Sequence, residues 1–147
     1  AARACTARED GAAILEDYMD MLEDLVQTKG WDVLGHVIYP LRYIPAEHGL
    51  DLHPWWDRLA EIFRAVISQG KGIELNTSAG TTVDQWREVL ALYRDLGGEV
   101  LTLGSDAHRP QFMAAAFPQA LELLRALGFR WLCVYRQRTP LFCKLDS

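Results

Sequence analysis

Cysteine is scarce: Cys5, Cys133 and Cys143 are the only three in 147 residues, and none forms a Cys-x-x-Cys pair. An odd count without that spacing excludes a disulfide framework and a zinc knuckle, and leaves ordinary thiols of a reducing compartment. Long apolar runs are missing as well. No stretch approaches the roughly 18 residues that a membrane-spanning helix needs, and no secretory-signal pattern opens the chain. A soluble, cytoplasmic protein is therefore expected. There is no basic run either, and the formal net charge of -5 disfavours nucleic acid and membrane surfaces as partners. Internal repeats and low-complexity linkers are absent. What remains is a chain of single-domain length, 50% hydrophobic, with enough apolar content for a core.

The apolar residues fall into an alternating pattern. Ile14, Leu15, Tyr18, Met21, Leu22, Leu25 and Val26 recur at threes and fours, which predicts an amphipathic helix over residues 7–29, with Thr6 as N-cap and Gly30 as stop. Residues 32–38, "DVLGHVI", read as a short strand, and a loop with Pro40 and Pro45 follows. Leu59, Ile62, Phe63, Val66 and Ile67 mark a second helix between Pro54 and Gly70. "GIEL", residues 72–75, is a second strand, and a third helix spans residues 83–96, closed by Gly97-Gly98. "EVLTLG" is a third strand, residues 117–127 a fourth helix and "FRWLCVY" a fourth strand. Helix and strand in strict alternation imply an α/β fold of about four parallel strands joined by helical crossovers.

In such folds chemistry gathers where strands end. The first strand delivers His36, then Arg42 and Tyr43. The second delivers Glu74 and Asn76; the third Ser105, Asp106 and His108; the fourth Tyr135, Arg136 and Arg138. Each has a plain alternative. Asp106 caps a helix as readily as it binds a metal. His36, among apolar neighbours, suits a hydrogen-bonded core position. Asn76 suits an Asx-turn, and Arg42 a surface charge. His48 and His53 read as structural or solvated, and Trp55, Trp56, Trp86 and Tyr93 as packing residues. Together, however, an Asp and two neutral His suit Zn, Mn or Fe. In an extended Asp-x-His segment both side chains point one way, and an Arg alongside suits a phosphate.

"DVLGHVIYPLRY", "GKGIELNTSAG" and "TLGSDAHRP", in that order and spacing, resemble the polymerase and histidinol phosphatase (PHP) superfamily, and within it the histidinol-phosphatase branch. The resemblance implies a distorted seven-stranded (βα) barrel with a trinuclear divalent-metal centre at the strand C-termini. His36 matches the third metal motif, and Asp106 and His108 the fourth, each serving a different metal. Arg42 and Tyr43 match positions at the substrate phosphate, with Asn76 a third substrate-binding candidate. The implied reaction is hydrolysis of histidinol phosphate in histidine biosynthesis, with Asp106 or His108 as catalytic proton donor to the leaving alkoxide. The opening His-x-His, a bridging Glu and two further His ligands have no counterpart, since no histidine precedes His36. Residues 1–147 are thus expected to be the C-terminal half of such a domain. Its partners would be a small phosphorylated substrate and either the absent half or further copies of the chain. Two rival readings are a PHP phosphoesterase of nucleotides or DNA ends, and a non-catalytic interaction or assembly module.

Overall fold

The computed structural model describes residues 8–43, 51–80 and 83–145. Cys5, the Thr6 cap, Pro45 and His48 lie outside the described residues. Helix α1 (Arg8–Val26) leads to strand β1 (Val33–Leu34), and α2 (Trp56–Ser68) to β2 (Gly72–Asn76). Helix α3 (Trp86–Asp95) then precedes β3 (Leu101–Gly104), and α4 (Phe117–Ala126) precedes β4 (Trp131–Arg136) and β5 (Thr139–Lys144).

The predicted alternation is present because each helix buries one apolar stripe. In α2 this is Leu59, Ile62, Phe63 and Val66; in α3 it is Trp86, Val89, Leu90 and Tyr93. Trp55 is buried too, and Trp56 packs against the core, as expected of packing residues. In α1 the buried stripe is Leu15, Met19, Leu22 and Val26, whereas Ile14, Met21 and Leu25 face outward. Arg58 of α2 ties the two helices together, donating to Glu23 at 2.6 and 2.9 Å and to Glu16 at 2.6 Å. No helix among the described residues is long and apolar enough to cross a membrane.

Strands β1, β2 and β3 form a parallel sheet in that order, with Leu34 opposite Ile73 and Asn76 opposite Gly104. Side chains alternate across it. Ile73, Leu75 and Leu101, all fully buried, belong to the helix-covered core. The other face carries Gly35, Glu74, Asn76 and Gly104. A Cβ at Gly104 would stand 2.1 Å from Glu74 Oε1, and one at Gly35 3.2 Å from Glu74 Oε2. Both glycines therefore make room for one carboxylate. Gly104→Ala is expected to lower stability by about 1–3 kcal/mol, the usual cost of overpacking. Glu74→Ala should absorb most of that cost, giving a coupling of about 0.5–3 kcal/mol in a double-mutant cycle of urea midpoints. Simple additivity would show that the two do not meet.

The fourth strand departs from expectation. Rather than joining a parallel sheet, β4 pairs antiparallel with β5, from Trp131 opposite Lys144 to Arg136 opposite Thr139. The cause is the Gln137-Arg138 turn, where both residues are left-handed, at φ 48° and 64°. Positive φ at both central positions is the geometry of a two-residue hairpin. Among the described residues the sheet thus has three parallel strands, not four, and the hairpin lies against its N-terminal end. Arg138 binds the Asp32 carboxylate with two bonds of 2.9 and 3.0 Å, and Tyr135 donates to the Asp32 carbonyl at 3.4 Å, just ahead of β1. The guanidinium holds the Asp32 carboxyl below its ordinary range. Tyr135 and Arg138 therefore serve the end of the sheet opposite to the one expected. Cys133 is buried in this hairpin and Cys143 exposed, both as free thiols.

Candidate active site

At the C-terminal end of the sheet, the loops after β1 and β3 meet. β1 ends at Leu34, and two residues later His36 turns left-handed, at φ 56°. Its carbonyl accepts the Tyr39 amide at 2.9 Å, starting a 3-10 turn over Tyr39–Arg42 with Pro40 in its first positions. Tyr39 and Tyr43, four residues apart, stand on one face of that turn. Their hydroxyls lie 2.7 Å apart and their rings 5.1 Å. The hydrogen bond to Tyr43 raises the Tyr39 phenol above its ordinary value. The His36 ring meets Tyr39 edge-on at 5.2 Å.

After β3 the chain reaches Asp106, which is also left-handed at φ 51°. His and Asp tolerate this conformation better than most side chains, and such residues gather at functional sites. Asp106 caps no helix, because α4 begins at Phe117. Its Oδ2 instead accepts Arg42 Nη1 at 3.2 Å and stands 3.8 Å from His36 Nε2. His108 Nδ1 lies 2.8 Å from the Asp106 carbonyl. A carbonyl only accepts, so Nδ1 carries a proton, which leaves Nε2 as the nitrogen that a metal or a transferred proton would meet. His108 is thus oriented by the Asp106 backbone rather than by its carboxylate, because the left-handed Asp106 breaks the extended geometry.

His36, Arg42, Tyr43, Asp106 and His108 line one cleft of about 640 Å³, together with Tyr18, Tyr39, Ala107, Arg109 and Phe112. His36 is about half exposed, at 48% of its side chain, so it is no core histidine. Asn76 forms the Asx-turn: its Oδ1 accepts the Ser78 amide at 2.8 Å while its Nδ2 donates to Glu74 at 3.3 Å. It lines a small hollow behind Arg42 and Asp106. Ser105 Oγ accepts the Ala114 amide at 3.3 Å. His53 is solvated, held by Asp51. Tyr135, Arg136 and Arg138 are not among the residues that line the cleft.

Three polar cleft residues escaped the sequence pattern. Tyr18 reads there as one more apolar position of α1, yet its hydroxyl donates to the His36 carbonyl at 2.5 Å. Burial raises its phenol to about 12, with Tyr39 adding to the effect, so the hydroxyl stays protonated at neutral pH. Tyr39 carried a readable signal in its spacing from Tyr43. Arg109 carried none beyond its place after His108.

No family model matches the chain. Among curated proteins it is 27% identical over 126 residues to a probable histidinol-phosphatase of Thermotoga maritima, covering 82% of this chain and 52% of that protein. It is 28% identical over 124 residues to a histidinol-phosphatase of Lactococcus lactis, covering 81% and 46%. Among solved structures it superposes on the Lactococcus lactis histidinol phosphate phosphatase, complexed with zinc, L-histidinol and phosphate. The TM-score there is 0.74 at 25% identity, over 93% of this chain and 53% of that one. The proteins it resembles are histidinol-phosphatases. The chain spans about half the length of the curated relatives it matches.

Histidine nitrogen and aspartate oxygen are donors that zinc takes. His36 Nε2 and Asp106 Oδ2 stand 3.8 Å apart at the cleft. The donors fit a divalent cation in kind. Their number falls short, since no group of three or more His, Cys, Asp or Glu side chains gathers among the described residues.

Proposed function

We propose that this chain supplies one side of the active site of a metal-dependent phosphomonoesterase acting on histidinol phosphate in the cytoplasm, as the C-terminal half of a seven-stranded PHP-type barrel. The observation that carries this reading is the meeting of His36, Arg42, Asp106 and His108 in one cleft at the C-terminal end of a parallel sheet. The names of the similar proteins supply the substrate class.

His36, Asp106 and His108 would hold part of a centre of up to three divalent metals, zinc by likeness to the solved relative or else Mn or Fe. When bound, such a cation supplies Lewis acidity and lowers the pKa of water. The chain's own residues do the rest. Arg42 offers a planar fork of N–H donors to phosphate oxygens, and the Tyr43 hydroxyl, paired with Tyr39, adds a donor beside it. Asn76 fixes the loop behind them. Asp106 or His108 would first take up the proton that the attacking water loses and then pass it to the leaving alkoxide; on His108 that proton would sit on Nε2, since Nδ1 is held by the Asp106 carbonyl. A cleft of about 640 Å³ suits a small phosphorylated amino alcohol.

The donor shortfall favours a second reading, in which the chain alone is a non-catalytic interaction module. To separate the two, the chain is mixed with the portion of a histidinol-phosphatase relative that it does not cover. Phosphate release from L-histidinol phosphate and from a nucleoside monophosphate is then measured with zinc or manganese. The phosphatase reading expects release from the first substrate well above the second. Equal rates would reject the substrate, and no release from either would leave the module.

A further inference from the structure

His36 combines a rare backbone conformation with an unusual anchor. Its carbonyl takes one hydrogen bond from inside its own turn, the Tyr39 amide at 2.9 Å. The second comes from the Tyr18 hydroxyl, 18 residues earlier on α1. The peptide that carries this carbonyl rotates with ψ of His36. Fixing it keeps the left-handed pairing of φ and ψ, and with it the direction of the Cα–Cβ bond. From that bond the imidazole reaches past the Tyr39 ring edge to stand 3.8 Å from the Asp106 carboxylate.

We infer that Tyr18 is a positioning residue for the candidate site: its hydroxyl holds the His36 peptide left-handed and thereby aims the imidazole at Asp106. Tyr18 lines the cleft but makes no contact with Asp106 or His108 among the hydrogen bonds described. Its effect passes through His36. The first consequence, the backbone conformation of His36, is independent of any metal. The second, the availability of His36 to a cation, rests on the phosphatase reading.

The test compares Tyr18→Phe with Tyr93→Phe. Tyr93 also donates to a backbone carbonyl, that of Val100 at 2.9 Å, but at the opposite end of the sheet. Three readouts are taken on the 147-residue chain: thermal unfolding, the His36 amide-to-Hα NOE, which is strong only at positive φ, and the imidazole nitrogen shifts during titration with zinc chloride. In Tyr18→Phe the His36 NOE is expected to weaken while the rest of the spectrum stays folded. The zinc concentration that moves His36 Nε2 should rise about tenfold or more, as for lost outer partners of metal ligands. Tyr93→Phe should lower the unfolding temperature and alter neither His36 readout. An unchanged His36 NOE in Tyr18→Phe, or a change no larger than in Tyr93→Phe, would overturn the inference. If zinc fails to move His36 in the unsubstituted chain, this half alone holds no cation at His36, and the NOE by itself decides the role of Tyr18.

Discussion

Purified alone and given excess zinc or manganese, the 147-residue chain is expected to release phosphate from phosphomonoesters no faster than a boiled control. Two donors at 3.8 Å, with His108 turned toward a backbone carbonyl, do not enclose an ion. Metal affinity rises with the number of donors in place and with the partners that orient them. A second copy of the chain does not help, because it brings the same His36, Asp106 and His108 and none of the earlier ligands that the PHP resemblance calls for. Adding the uncovered portion of a histidinol-phosphatase relative is expected to raise turnover by several orders of magnitude, the scale on which metal-assisted hydrolysis exceeds background. Substantial turnover by the chain alone would overturn the shared-site reading.

Arg42 carries the second large effect. In the reconstituted enzyme Arg42→Ala should cost on the order of 1.5–3 kcal/mol of transition-state stabilisation, the range for hydrogen bonds to charged groups. That corresponds to about a 10- to 150-fold loss in kcat/KM. Arg42→Lys should recover only part of it, since an ammonium keeps the charge and loses the two-pronged geometry. In the present structure Arg42 is bound to Asp106 at 3.2 Å, so it acts as the cation on that carboxylate. If Arg42 moves to the phosphate when a metal takes Asp106, its loss harms turnover and leaves metal content unchanged. Unaltered kcat/KM in Arg42→Ala, with metal content verified, would reject the role.

Much of the fold was legible in the sequence because the signals are local. A helix announces itself by apolar residues at threes and fours: α3 buries every residue that spacing names, and α2 all but the half-buried Ile67. The strand "GIEL" falls where expected, extended by Asn76. The run 32–38 reads as one strand, yet β1 spans only Val33–Leu34, because the chain turns left-handed at His36. The hairpin leaves no sequence signal for a local reason as well: its turn is Gln137-Arg138, which takes left-handed geometry without the Gly or Asn that normally marks it.

The site divides differently. Residue type and order, His36 before Arg42 and Asp106 before His108, were enough to nominate donors for a cation and a phosphate. The sequence alone could not separate a buried His36 from an exposed one, since its neighbours Val37 and Ile38 are indeed buried. The left-handed turn at His36 decided it, by rotating one side chain out of an otherwise apolar run. Arg42 and Asp106 are 64 residues apart, and Tyr18 and His36 18 apart. Such contacts follow from the parallel sheet, which sets two strand ends side by side and lays α1 across the first of them. Local propensity specified the strands and helices; only their packing specified which polar ends meet, because hydrogen-bond partners distant in the chain leave no periodic trace in it.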